Sequence, residues 1–419
     1  MYIREFGEIH KSKNNSQHSI DKICVNNNAF KELENLAESD DKNNRFLKFK
    51  KSNILKVQNF VGVITTTNGT QIEILPKISE SCDDTADKSR ETLEKMLKEV
   101  NKLPFIETTK ADLQLKKQPL PEVLISWFLD CVDNIIKQGI RRDYNRISAN
   151  EKFLKGQLQS HKQLNEPPHK QHLFHIEYDV FSPNRCENRL IHSALLQVLR
   201  WSKDNENQKI AKHFLMFFAE VPLSKNYKID FEKWSNSRDM NYYQNVLPWL
   251  KLILNQQSPF TLKDKNTGIS FLIPMEKLFE KYVAEILAKN LPKSYELTEQ
   301  KPQKYLAQNP KSFKMMPDIV ISEKGEPICI LDTKWKLIDE NQTYDNGNEN
   351  KKKGISQADM YQLFAYGKKY KVSKVVLIYP QWEKFKTSFS FKLDNNLMLK
   401  VCAFNMKIKQ QHDNLCHFD

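Results

Sequence analysis

Between Ser312 and Lys336 the chain reads SFKMMPDIVISEKGEPICILDTKWK, and its apolar positions fall in two short blocks, Ile319 to Ile321 and Ile328 to Leu331. A turn signal from Glu323 to Pro327, containing Gly325, separates them. Short β-branched blocks around such a turn predict a β-hairpin. Met275 to Lys289 instead repeats apolar residues at helical spacing, with Leu278, Phe279, Tyr282, Val283, Ile286 and Leu287 on one face. Ser356 to Asp359 forms a capping-box pattern that opens a helix through Tyr370, with Met360, Leu363, Phe364 and Gly367 toward the core. Lys374 to Tyr379 is a β-branched strand closed by Pro380, and Lys386 to Leu393 with Leu397 to Phe404 predict a closing hairpin. The core order is helix, strand, strand, helix, strand.

Ahead of this half, Ile3 to Ile9 predicts a strand and Phe30 to Ala37 a helix. Asn59 to Leu75 predicts a hairpin turning at Asn68-Gly69. Ser81 to Lys102 predicts a charged helix with Leu93, Met96, Leu97 and Val100 on a stripe, its charges forming a solvated face. Asp112 to Leu120 reads as a connector, and Pro121 to Ile140 as an apolar helix whose Trp127 and Phe128 belong to a core. Arg141, Arg142, Arg146, Lys152 and Lys155 follow as a basic cluster, read first as structural and second as a contact to phosphate or a partner. From Asn184 to Gln256 the pattern is helical, with His192 and His213 as structural residues. Thr261 to Ile273 predicts short strands, and residues 339–355 a polar loop whose Lys351 to Lys353 face solvent or a DNA backbone. The expected architecture is an α+β N-terminal region over 1–118, a helical connecting region over 119–258 and an α/β domain on a central mixed sheet over 259–419.

A chain of 419 residues with 39% hydrophobic content is long enough for two or three cores. Its formal charge of +13 favours an acidic polymer as partner. Seven scattered cysteines, without a CxxC pair or zinc spacing, fit reduced thiols. The N-terminus lacks a signal-peptide core, and no stretch approaches the roughly 18 apolar residues of a membrane span. The expectation is a soluble cytoplasmic protein with no membrane partner. No GxxxxGK[ST] run occurs, so hydrolysis of nucleotide falls to a separate subunit.

Chemistry concentrates on the central hairpin. Asp318 opens its first strand behind Pro317; Asp332 closes the second, two residues ahead of Lys334. Hairpin ends meet, and the two-residue strand period places Asp332 and Lys334 on one face. Two close carboxylates repel unless a cation lies between them, and hard oxygen ligands suit Mg²⁺ or Mn²⁺. A neighbouring Lys orients or deprotonates a water and offsets charge growing on a phosphoryl oxygen. The competing reading is a surface hairpin whose Asp and Lys are solvated or ion-paired. Glu276 and Glu280 lie four apart at the edge of the apolar helix face, and Gln362 and Tyr366 share a side of the later helix.

Helix Glu, Pro-Asp, Asp-x-Lys and then Gln-x-x-x-Tyr resembles the PD-(D/E)xK nuclease core in its RecB-like variant. The stretches MEKLFEKYV, PDIVI, ILDTKWK, DMYQLFAYG and VVLIYP resemble, more narrowly, McrC, the nuclease subunit of modification-dependent restriction systems. VGVITTTNGTQIEILPKI, the basic cluster, Asn188 to Leu190 and LPWLKLILNQQSP extend the likeness, from about Glu5 to Pro380. The resemblance implies a type IV-like restriction endonuclease that cuts methylated double-stranded DNA when assembled with an McrB-type AAA+ GTPase hexamer. That partner binds GTP, recognises 5-methylcytosine-type modification and translocates, while the N-terminal region docks onto it. Asp318 and Asp332 would hold one or two Mg²⁺ ions with the Thr333 backbone carbonyl, and Glu280, or Glu276 in its place, would complete the shell through water. Lys334 would position the attacking water; Gln362 and Tyr366 would hold the DNA strand or buttress Lys334. The product would carry a 5′-phosphate and a 3′-hydroxyl. Two alternatives stay open: an autonomous RecB-like defence or repair nuclease, and a non-catalytic subunit that activates the GTPase.

Overall fold

The β-branched runs Ile319–Glu323, Glu326–Thr333 and Lys374–Pro380 become inner strands of a six-stranded sheet. The computed structural model describes residues 1–11, 18–39, 46–66, 68–78, 86–100, 119–165, 167–170, 172–235, 237–254, 271–300, 304–340 and 351–406. Across the sheet the order is Tyr295–Glu299, Ile319–Glu323, Glu326–Thr333, Lys374–Pro380, Leu397–Phe404 and Phe389–Asp394. The first three strands pair antiparallel, the next two join in parallel, and the last returns antiparallel. Inner strands of such a sheet are covered on both faces, which is why they read as continuous apolar blocks.

The predicted hairpin closes on Glu323 and Glu326. Lys324 and Gly325 between them both have positive φ, 52° and 86°, the two-residue turn whose twist matches paired strands. Helices Met275–Asn290 and Gln357–Tyr370 form where the periodicity places them. The second is capped by the Ser356 hydroxyl, which accepts from Asp359 N at 3.1 Å. Gly367 lets this helix settle on the sheet, since a Cβ there would stand 2.6 Å from Leu397. Phe364, expected in the core, is exposed. Strand Tyr295–Glu299 and hairpin Lys304–Gln308 with Lys311–Met315 go beyond the expected elements, because their mixed polar sequences lack a long apolar block.

In the first hundred residues, hairpin Phe60–Thr65 with Gln71–Leu75 and helix Asn27–Ser39 match expectation. The single strand Ile3 to Ile9 does not. It divides into Tyr2–Arg4 and Glu8–Lys11, which join different sheets. Phe6 between them takes a φ of 64°, and Gly7 packs so tightly on Ile3 and Arg4 that a side chain would collide. Helix Ala86–Val100 also departs from its reading as a solvated charged face. Burial pushes the Glu94 carboxyl up to about 7, Lys95 Nζ donates to the Met406 carbonyl, and Glu99 pairs with Lys289.

Such long-range contacts merge Met1–Leu103 with Leu272–Asp419 into one compact unit, drawn differently from the three stretches read along the sequence. Met275 N donates to Asn59 O at 3.0 Å, and Trp335 Nε1 to Glu5 Oε1 at 2.6 Å. The second unit is Pro104–Phe271. Its helices include Leu120–Gln138, Cys186–Trp201, Asn205–Phe217 and Leu247–Leu254, with Trp127 edge-on to Trp249 in the core. Beside the helices expected of this connecting region stand strands Asp143–Glu151, Gln157–Leu158 and Phe174–Ser182, which form a three-stranded antiparallel sheet that the helical reading does not include. Alternation there places Tyr144 and Phe181 in solvent rather than in a core, so no apolar period announces the strands.

Arg141, Arg142 and Arg146 pair with Asp239, Glu220 and Glu177. His192 Nδ1 lies 2.7 Å from the Val221 carbonyl, and His213 stands beside Phe217. The connector from Asp112 and the strands from Thr261 fall largely outside the described residues, as does the centre of the loop over 339–355. Among the described residues no helix is long and apolar enough to cross a membrane.

Candidate functional site

One register step beyond the Ile319–Leu331 pair, Asp318 and Asp332 face each other across the hairpin. Asp318 is fixed by its neighbour strand: Thr333 N and Oγ1 both donate to its Oδ2, at 2.8 and 2.9 Å. Asp332 is 1% exposed. Lys334 Nζ stands 2.5 Å from Asp332 Oδ2 in an ion pair, and among the described residues no other protein donor reaches either carboxylate oxygen. Burial, reinforced by the Asp318 charge and only partly offset by Lys334, pushes the Asp332 carboxyl up to about 6. For Lys334 burial acts downward, but Asp332 outweighs it and keeps the side chain an ammonium. An ammonium orients and donates; it does not take a proton.

The backbone explains the alignment. Lys334 N donates to Ile378 O at 2.9 Å, extending the parallel pairing past Thr333. Trp335 then turns inward to Glu5, whose Oε1 also accepts from Lys77 N at 2.7 Å. Among the described residues Glu5 Oε2 is buried with no partner, and burial pushes this carboxyl up to about 7 despite both donors.

Of the two helix acids, Glu280 is buried on the sheet side and Glu276 is exposed. Burial and the Asp318 charge raise the Glu280 carboxyl above its ordinary range. Gln300 links the two acids: its Nε2 donates to Glu280 Oε1 at 2.5 Å and its backbone N to Asp318 O at 3.1 Å. A pocket lined by Lys277, Glu280, Lys281, Glu299 and Gln300 opens beside them. On the later helix, Gln362 Nε2 donates to the Tyr366 hydroxyl at 2.9 Å. Tyr366 is buried, and burial with the charges of Asp332 and Asp318 raises its hydroxyl.

Three residues at the site escape sequence reasoning. Gln300 lies at the exit of an edge strand that no apolar block announces. Asp359 carries only a capping signal in the sequence, yet its charge acts on Asp332, Lys334 and Tyr379. Tyr379 is buried with a hydroxyl that has no partner among the described residues, and burial with Asp359 and Asp332 drives its proton loss far upward. The one usable signal is an acid in the first turn of the capped helix.

Among the described residues no group of three or more His, Cys, Asp or Glu is placed so that together they could hold a metal ion. The donor set does fit a hard divalent cation held by few protein ligands and water, since it offers facing carboxylates, one of them buried and unsatisfied.

The sequence matches the family described as McrBC 5-methylcytosine restriction system component over residues 55–380. No curated protein matches it significantly. The fold is similar to that of a chain in an assembly from Thermococcus gammatolerans described as a half-complex of McrB AAA+ hexamers with bound McrC. Identity there is 18% and the TM-score 0.70, covering 98% of this chain and 95% of that one. A second structure, the McrBC complex of the same organism, matches at 20% identity and a TM-score of 0.53, covering 70% of this chain and 88% of that one.

Proposed function

Since the chain belongs to the family of McrBC 5-methylcytosine restriction system components, we propose that it is the system's nuclease subunit, an McrC-type endonuclease with a PD-(D/E)xK core. The observation that carries this reading is the facing pair Asp318 and Asp332, with the Lys334 ammonium 2.5 Å from a buried, unsatisfied carboxylate. Buried acids that serve only the fold rarely have a single ammonium as their one donor.

In this mechanism Asp318 and Asp332, with the Thr333 carbonyl, would hold Mg²⁺ or Mn²⁺, and Glu280 would complete the site through water. The bound cation supplies Lewis-acid stabilisation and lowers the pKa of water. Lys334 orients the attacking water and offsets charge on the pentavalent phosphorus. Thr333 fixes Asp318, while Tyr366, bonded to Gln362, packs in one buried cluster with Met315, three residues ahead of Asp318. Attack opposite the 3′ oxygen leaves a 5′-phosphate and a 3′-hydroxyl.

The similar Thermococcus assembly contains McrB AAA+ hexamers with bound McrC, which supports an McrB-type GTPase as this chain's partner. The sequence has no P-loop of its own, so GTP is bound by that partner, which also reads the methylated DNA. The N-terminal region over 1–118 is proposed as the docking part.

The test is cleavage of methylated and unmethylated plasmid by the purified chain with Mg²⁺, alone and with the GTPase subunit plus GTP. Cutting of methylated plasmid in the complete mixture alone is the expected result. Cutting by the isolated chain would favour an autonomous nuclease. GTPase stimulation without any cutting would favour a non-catalytic subunit.

A further inference from the structure

The hairpin formed by Lys304–Gln308 and Lys311–Met315 stands outside the six-stranded sheet as a two-stranded unit of its own. Its root is anchored. Met315 is buried in the cluster that holds Leu363 and Tyr366, Lys304 Nζ donates to Lys369 O at 3.1 Å and lies 4.8 Å from the centre of the Tyr370 ring, and Lys369 Nζ donates to Leu306 O at 3.0 Å. Away from the root the apolar side chains face water: Tyr305, Leu306 and Met316 are exposed, and Phe313 is 74% exposed. An exposed apolar cluster marks an interaction surface.

Charge identifies the partner. Residues 304–316, KYLAQNPKSFKMM, contain Lys304, Lys311 and Lys314 and no acid. No carboxylate among the described residues pairs with Lys311 or Lys314, and both are exposed. Free ammonium groups beside exposed rings match a polyanion that also offers flat apolar faces, which is nucleic acid. Position points the same way. The hairpin's second strand runs through Met316 and Pro317 directly into Asp318, and its last residue, Met315, shares a buried cluster with Tyr366.

We propose that the hairpin Lys304–Met315 grips DNA at the cleavage site, with Lys311 and Lys314 on backbone phosphates and Phe313 against base or sugar faces. The inference rests on the nuclease reading above. It gives the Pro-Asp segment a second role, because the peptide that positions Asp318 also registers the strand being cut.

The experiment uses the full chain carrying Asp332→Asn, so that binding is read without cutting, and a fluorescently labelled duplex titrated at several salt concentrations. Lys311→Glu with Lys314→Glu should weaken binding at least about tenfold and reduce the salt slope by about two. Phe313→Ala should weaken binding severalfold with the slope unchanged. Placed in the chain with Asp332 intact, in the complete mixture, the same substitutions should slow cleavage while stimulation of the partner's GTPase is retained. Unchanged duplex affinity in both variants overturns the proposal. Loss of self-association by Phe313→Ala with DNA affinity intact also overturns it and makes the hairpin an interface between copies of the chain. If the unaltered chain never cuts but the variants lose DNA affinity, the nuclease reading fails and the hairpin assignment stands. If it cuts and the variants cut equally well, the hairpin assignment alone fails.

Discussion

Buried acids in the helical unit are treated differently from Asp332, Glu280 and Glu5 in the mixed-sheet unit. In the helical unit, Glu122 accepts from Ser202 Oγ and Lys203 N at 2.7 Å and from Asn207 Nδ2 at 2.9 Å. Asp230 binds Arg189 through both oxygens and accepts from Ser224 Oγ at 2.6 Å; burial would raise it, but these donors outweigh burial and hold it below its ordinary range. Glu187 behaves alike: burial acts upward, and backbone N–H groups with Arg185 overcome it. In the mixed-sheet unit Asp332, Glu280 and Glu5 are all pushed up by burial, and Asp332 and Glu5 keep unsatisfied oxygens. A carboxylate whose lone pairs are filled by protein donors holds the fold together and has no capacity for a ligand. One left short of donors is poised for a cation or a proton.

Breaking this contrast at its functional end gives the largest expected effect. Asp332→Asn should reduce plasmid cleavage at least about a hundredfold, while denaturation in urea at neutral pH shows no loss of stability, because a carboxyl raised from 3.8 to about 6 works against the fold once ionised and the amide removes that cost. At the structural end the outcome reverses. Asp230→Ala strands Arg189 and should cost about 3 kcal/mol in the same measurement.

Glu5 sharpens the comparison through pH. Its folded carboxyl sits at about 7 against an ordinary 4.5, so between those values the folded chain binds more protons than the unfolded one. Stability from this residue is therefore full below about 4.5, falls as pH rises, by roughly 3 kcal/mol at most, and is flat above about 7. Glu5→Gln should abolish that fall, and a slope equal to that of the unaltered chain would refute the assignment. The smallest effect separates the two helix acids: Glu280→Gln should slow cleavage about tenfold, and Glu276→Gln less than about twofold, measured as initial rates in the complete mixture.

The sequence by itself determined what depends on near neighbours. β-Branched blocks around Lys324-Gly325 specify the hairpin, the strand period puts Asp332 and Lys334 on one face, and Ser356 caps its helix. The short motifs also carried the family resemblance, which the match over 55–380 supports. Tertiary structure alone decided the rest. Glu276 and Glu280 sit alike at the edge of one helical face, and only packing buries the second against Asp318. The break at Phe6 follows from Tyr2–Arg4 and Glu8–Lys11 joining separate sheets, and strand Tyr295–Glu299 exists because Ile319–Glu323 offers it an edge. Trp335 meets Glu5 across almost the whole chain. Local propensity reaches a few residues along the backbone, whereas burial, and with it the charge state of every acid in the site, is set by groups that only folding brings within reach.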